Sequence, residues 1–175
     1  MATAAPGRVA VLMGSDSDLP VMAAAVRVLR DLEIGHEVHV TSAHRSPART
    51  VKIVDEAAKR GVRIYIVGAG AAAHLAGVVA AHTTLPVLGV PLPSSDLSGL
   101  DALLATVQMP AGIPVGTLAI GKAGSANAAW LAAAILAVED ERLAVRLRSE
   151  RTRMAEGVAR KSDAAQQTLK SLLGD

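Results

Sequence analysis

Apolar positions along the chain alternate between two textures. Short β-branched runs recur at Arg8–Met13, Glu37–Thr41, Arg63–Val67, Val87–Val90 and Thr117–Ile120, each followed by a loop rich in Gly, Ser or Pro. Apolar runs of that length predict buried strands of a parallel sheet. After the first run, Met22, Ala25, Val26, Leu29 and Leu32 recur on one helical face, and Gly35 stands where a C-terminal cap belongs. The pair Ser46-Pro47 predicts a second helix, with serine at the N-cap and proline at the first helical position. That helix closes near Gly61 and has Val51, Val54 and Ala58 on its inner face. The alternation predicts an α/β fold, a doubly wound parallel sheet with helices on both faces and right-handed crossovers. Such sheets bind ligands beyond the carboxyl ends of their strands.

The pattern changes from about Glu139, where charges dominate and only Leu143, Leu147, Met154 and Val158 persist at helical spacing. Two readings fit so narrow a stripe: a solvated terminal helix on its own domain, or an arm that docks on a neighbouring subunit. The organisation expected is a flexible tail over residues 1–7, one α/β domain over 8–139 and a helical arm over 140–175.

Composition narrows the partners. A chain of 175 residues that is 51% hydrophobic can bury one sizeable core. With no Phe, one Trp and one Tyr, that core is aliphatic and offers no platform for stacking bases. Eighteen Lys and Arg alternate with sixteen Asp and Glu, a formal net charge of +2 without a basic block, so no nucleic-acid partner is expected. With no Cys there is no disulfide, thiolate nucleophile or cysteine zinc site. The N-terminal residues lack a secretory pattern and no run reaches membrane-spanning length, so a cytoplasmic protein without a membrane partner is expected.

Three polar loops follow consecutive predicted strands and would open on one edge of the sheet. The first, Gly14-Ser15-Asp16-Ser17-Asp18, has small residues that let backbone amides approach a phosphate, with hydroxyl donors on Ser15 and Ser17. It lacks a P-loop lysine, which argues against nucleoside triphosphates. Asp18 suits a ribose diol; its alternative is the N-cap of a helix starting at Leu19. In the second, Thr41-Ser42-Ala43-His44-Arg45, a histidine able to give and take a proton precedes a guanidinium able to hold a phosphate. The alternative is a hydrogen-bonded loop histidine beside a surface charge. The third runs from Gly68 through Gly70, Ala71, Ala72 and Ala73 to His74, and it offers close backbone approach and a small dry pocket. His74 could assist binding, although a histidine opening an Ala-rich helix is more often structural. His36, His39 and His82 match no metal-ligand pattern.

These loops, taken with Pro86-Val87-Leu88-Gly89-Val90-Pro91 and with Gln108-Met109-Pro110 through Gly121-Lys122-Ala123-Gly124, resemble a known family. The family is the class I N5-carboxyaminoimidazole ribonucleotide mutases of bacterial purine synthesis, and the likeness runs from Val9 to about Glu139. It implies that Ser15, Asp18 and Arg45 contact the ribonucleotide, that Ser42 helps line the pocket, and that His44 transfers the proton. It also implies a three-layer αβα fold of flavodoxin-like kind, a homo-octamer with exchanged C-terminal helices, and no metal or organic cofactor. Ser17, Gly70 and Ala71 join the expected substrate contacts, with His74 as a further candidate. Two departures stand out: Ala71 where the family usually has Gly, and Ala76 where Pro is usual. A methyl at position 71 opposes positive φ.

The resemblance implies conversion of N5-carboxyaminoimidazole ribonucleotide to 4-carboxy-5-aminoimidazole ribonucleotide on the route to IMP, an isomerase activity. An ATP-dependent N5-carboxyaminoimidazole ribonucleotide synthetase is the expected functional partner. The alternative in the same chemistry is direct carboxylation of aminoimidazole ribonucleotide by carbon dioxide. That branch typically carries Lys after the equivalent histidine, so Arg45 and Ala73-His74-Leu75 favour the mutase. The alternative outside catalysis is a flavodoxin-like or receiver-like binding module. Trp130 and Tyr65 lie outside the candidate loops, where a flavin would need an aromatic wall.

Overall fold

The computed structural model describes residues 7–174, so all but Gly7 of the tail expected over residues 1–7 lies outside the described residues. The chain divides after Ile135 into two compact units. The first holds a five-stranded parallel sheet in the order β2-β1-β3-β4-β5, formed by β1 (Val9–Met13), β2 (His36–Val40), β3 (Ile64–Gly70), β4 (Val87–Leu92) and β5 (Gly116–Thr117). Val9 pairs with both His36 and Ile64, and Gly70 with Leu92, so the strands end together along one carboxyl edge.

The three inner strands are buried along nearly their whole length, as their apolar runs require. The outer two differ from expectation. β2 is an edge strand with Val38 40% and Val40 43% exposed, and β5 has only two residues, Leu118 to Ile120 lying outside it. An edge strand has one neighbour and less cover, which its apolar content does not reveal. The Glu37 side of β2 is tied to the helix behind it: Arg60 donates to both carboxylate oxygens at 3.2 and 2.8 Å, and His39 Nε2 lies 3.1 Å from Oε1. Burial pushes the Glu37 carboxyl up, but the hydrogen bonds and charges of Arg60 and His39 outweigh it and hold the group below its usual range. Charge on an edge strand also discourages pairing with another chain.

Alternate residues of the central strands serve opposite faces. Ala10, Leu12, Tyr65, Val67 and Val87 pack with buried residues of α2 (Pro47–Lys59), α3 (Leu75–Ala81) and α4 (Leu100–Val107). Opposite lies α1 (Leu19–Asp31), whose Met22 sulfur sits so close to Gly68 that a Cβ there would fall 2.4 Å from it. Ser125 of α5 (Gly121–Ala137) accepts from the Ala25 amide at 3.1 Å, linking the two helices of this layer. The Tyr65 hydroxyl donates to Val54 O at 2.8 Å; burial, with the nearby charges of Glu37 and Asp55, pushes the phenol up to about 12.

Helix ends and phases depart from the pattern in detail. α1 buries Met22, Ala25 and Leu29 but ends at Asp31, and the left-handed residue is Glu33 (φ 55°), not Gly35. Ile34 N donates to Leu29 O at 2.8 Å and Glu33 N to Arg30 O at 2.9 Å, the paired bonds of a Schellman ending. Buried Leu32 and Ile34 pull the chain inward there, which places the left-handed turn two residues before the glycine. α2 starts at Pro47 and closes at Gly61 (φ 101°), but its buried face is Thr50, Ile53, Val54 and Ala57. Of the expected inner face only Val54 is correct. Thr50 turns inward because its hydroxyl finds the buried Thr41 hydroxyl at 2.9 Å.

The second unit begins at Leu136 and is dominated by α6 (Glu141–Leu173). Asp140 caps it by accepting from Leu143 N at 3.1 Å, and Gly174 ends it in the left-handed region. Along the narrow stripe Leu143 is buried and Leu147 half-buried, but Met154 is 45% and Val158 68% exposed. Among the described residues no helix is long and apolar enough to cross a membrane.

Candidate active site

The first loop folds on itself. Ser15 and Asp18 form a reciprocal cap around a 3₁₀ turn at Asp16–Asp18: Ser15 Oγ accepts from Ser17 N at 3.3 Å, and Asp18 Oδ2 accepts from Ser15 N at 3.0 Å. Asp18 therefore does cap, but it caps this turn. At the start of α1 its side chain makes no cap bond. Burial lifts the Asp18 carboxyl above its usual range, against the pull of hydrogen bonds from the Ser15 and Gly14 amides, and the Asp16 charge adds to the rise. The Ser17 hydroxyl donates to Ser15 Oγ at 2.9 Å, and Ser15 Oγ to Asp16 at 3.1 Å.

The second loop is braced from below. Ser46 stands at the N-cap position of α2 without capping it. Its hydroxyl turns back, accepting from Ser42 N at 3.1 Å and donating to Ser42 O at 3.2 Å. Ser42 Oγ in turn accepts from Arg45 N at 3.1 Å, closing a tight arch whose crown is His44. From that arch the Arg45 guanidinium donates to Gly14 O at 3.1 Å, which latches the second loop onto the first.

The third loop leaves β3 at Gly70 and turns through Ala71, which holds φ 51°. An alanine in the left-handed region is strained by its methyl, and two short turn bonds fix it there: Ala73 N to Ala71 O at 2.8 Å and His74 N to Ala72 O at 2.7 Å. The turn delivers His74 to the N-cap position of α3, where its side chain makes no cap bond. Instead its Nδ1 lies 2.9 Å from His44 Nε2, with the rings edge-on at 5.0 Å. Neutral rings at that distance share one proton, one ring donating and the other accepting.

A cavity of about 350 Å³ opens where the loops converge. Ser15, Ser17 and Asp18 line it from the first loop, Ser42, His44 and Arg45 from the second, and Gly70, Ala72, His74 and Leu75 from the third. Every expected site residue reaches it except Ala71, whose place is in the backbone turn. One lining residue has no counterpart in the sequence reading: Ser94, from the loop after β4. Nothing in Pro93-Ser94-Ser95-Asp96 marks it out, since such a string reads as an ordinary turn. A larger cavity of about 980 Å³ lies at the amino ends of β4 and β5 among Leu85, Pro86, Ile113 and Pro114. It lacks the convergent charged groups a ribonucleotide needs, so the smaller cavity is the candidate site. Among the described residues no cluster of three or more His, Asp or Glu could hold a metal ion.

The AIR carboxylase family model matches residues 8–157. The chain is 51% identical to a protein of Escherichia coli named N5-carboxyaminoimidazole ribonucleotide mutase over 158 residues, 90% of this chain and 94% of that one. It is 49% identical to the protein of the same name from Mycobacterium tuberculosis over 168 residues, 96% and 95% of the two chains. Among solved structures, the crystal structure of Treponema denticola PurE is similar with a TM-score of 0.80 at 27% identity, covering 89% of this chain and 96% of that one.

Proposed function

The chain belongs to the AIR carboxylase family, and from that premise we propose that it isomerises N5-carboxyaminoimidazole ribonucleotide to 4-carboxy-5-aminoimidazole ribonucleotide in purine synthesis. The observation that carries this reading is the position of His44, a histidine at the cavity between an anion-holding side and a Gly/Ala wall. Arg45 holds the phosphate with the serines of the first loop, and Asp18 accepts from the ribose. The N5–carboxyl bond breaks, its electron pair stays on N5, and His44 delivers a proton there as carbon dioxide departs. Imidazole C4 then attacks the trapped gas, and His44 recovers the C4 proton. One residue acts as acid and then as base, so protons balance without ATP.

The enzyme works in the cytoplasm as a homo-oligomer, an octamer by resemblance, fed by an ATP-dependent synthetase of its substrate. Support for assembly comes from the exposed apolar residues of α6, including Met154, Val158, Leu169 and Leu172. The test of the activity is substrate carrying ¹³C in the carbamate, incubated with unlabelled bicarbonate and followed by NMR. Label arriving at C4 is the expected result. Complete exchange of label with the bulk would overturn the mutase reading in favour of carboxylation from free carbon dioxide.

A further inference from the structure

The loop that follows β4 brings a hydroxyl into the cavity that the reaction above does not use. Ser94 N donates to Leu92 O at 3.0 Å, a tight turn immediately after the strand. The side chain lies over the end of β3: a Cβ on Gly70 would fall 1.8 Å from Ser94 Oγ and 2.7 Å from its Cβ. The bare backbone at Gly70 thus leaves room for this hydroxyl. Within their own loops, Ser17 Oγ donates to Ser15 Oγ, Ser15 Oγ to Asp16, and Ser42 Oγ accepts from Arg45 N. Ser94 Oγ has no hydrogen-bond partner among the described residues.

We propose that Ser94 is a further substrate contact, donating from Oγ to the carboxyl group in transit between N5 and C4. The inference rests on the functional reading given above. The strand order places Asp18, Arg45 and the loop serines on the β1 and β2 side, where phosphate and ribose are held, and Ser94 beyond β3. Gly70 lies against it, and the cavity wall from the third loop adds Ala72 and Leu75, apolar enough to accept neutral carbon dioxide. A single neutral donor also suits a group that changes charge. A cation would hold the carbamate most tightly in the ground state and oppose its breakdown, whereas a hydroxyl orients the carboxyl without that penalty. Ser94→Ala is therefore expected to lose about tenfold or more in kcat/KM, and to release more ¹³C into unlabelled bicarbonate per turnover than the wild type. Its melting temperature stays that of the wild type, because no protein group loses a partner. Ser94→Cys, a weak donor of similar size, falls between. Unchanged kcat/KM and label retention in Ser94→Ala, with transfer intact in the wild type, would overturn this inference alone. Absence of transfer in the wild type would overturn the functional reading and this inference with it.

Discussion

His44 is held by its arch and its neighbour rather than by burial; it is exposed, with Nε2 on His74 and the backbone of its loop pinned by Ser42 and Ser46. His44→Asn retains a side-chain amide that can bond to His74 but cannot carry a proton. Turnover is expected to fall on the order of 10²–10⁴, with folding and ribonucleotide affinity kept, as kinetics and calorimetry would report. Near-normal turnover would move the proton shuttle to His74. Ala71 poses a different question, since its φ of 51° is one that glycine adopts without steric cost. Ala71→Gly relieves the methyl but adds unfolded-state entropy, so a gain of about 0.5–1 kcal/mol is expected. A urea midpoint below that of the parent would mean that the methyl contributes packing.

Among the elements, α2 carries the site by its start rather than its length. The Ser46-Pro47 signature correctly marks where that helix begins, yet the serine hydroxyl serves the loop before it. Ser46→Ala should thus leave the helix intact while freeing the Ser42 amide, at about 1 kcal/mol of stability. Turnover should fall further than that loss alone implies, because His44 sits on the loosened arch. Measured together, a denaturation midpoint and kcat separate the two effects; a midpoint shift with unchanged kcat would reduce Ser46 to a structural brace. The misplaced inner face of α2 has the same origin. Thr50 looks polar in a sequence, yet it is buried with its hydroxyl satisfied by Thr41 and by Ser46 O.

At the scale of the whole molecule, α6 leaves much of its apolar stripe exposed in the single chain, with Leu172 and Leu173 uncovered near its end. Exposed apolar surface of that extent on a charged helix suits burial against another subunit. Removing residues from Glu150 onward is expected to break the oligomer into smaller particles and to lower activity, although every residue lining the candidate cavity remains. Light scattering and kinetics on the shortened chain check both halves. Full particle mass with full activity would make α6 an appendage.

By itself the sequence determined the class of fold, the chain order of its five strands and of the helices that follow the first two, and the three loops that line the candidate cavity. Those features are local: apolar runs, a Ser-Pro helix start, and polar residues placed just after strand ends. Only the tertiary structure decided that β2 is an edge, that Glu33 takes the turn expected at Gly35, and that Ala71 supports the site from the backbone without lining it. It also decided two contacts at the candidate site. His44 and His74 are thirty residues apart, and Gly70 and Ser94 lie on neighbouring strands' ends; their meeting depends on the register of β3 against its neighbours. A pairing across strands is a property of the assembled sheet, and no spacing along one chain encodes it.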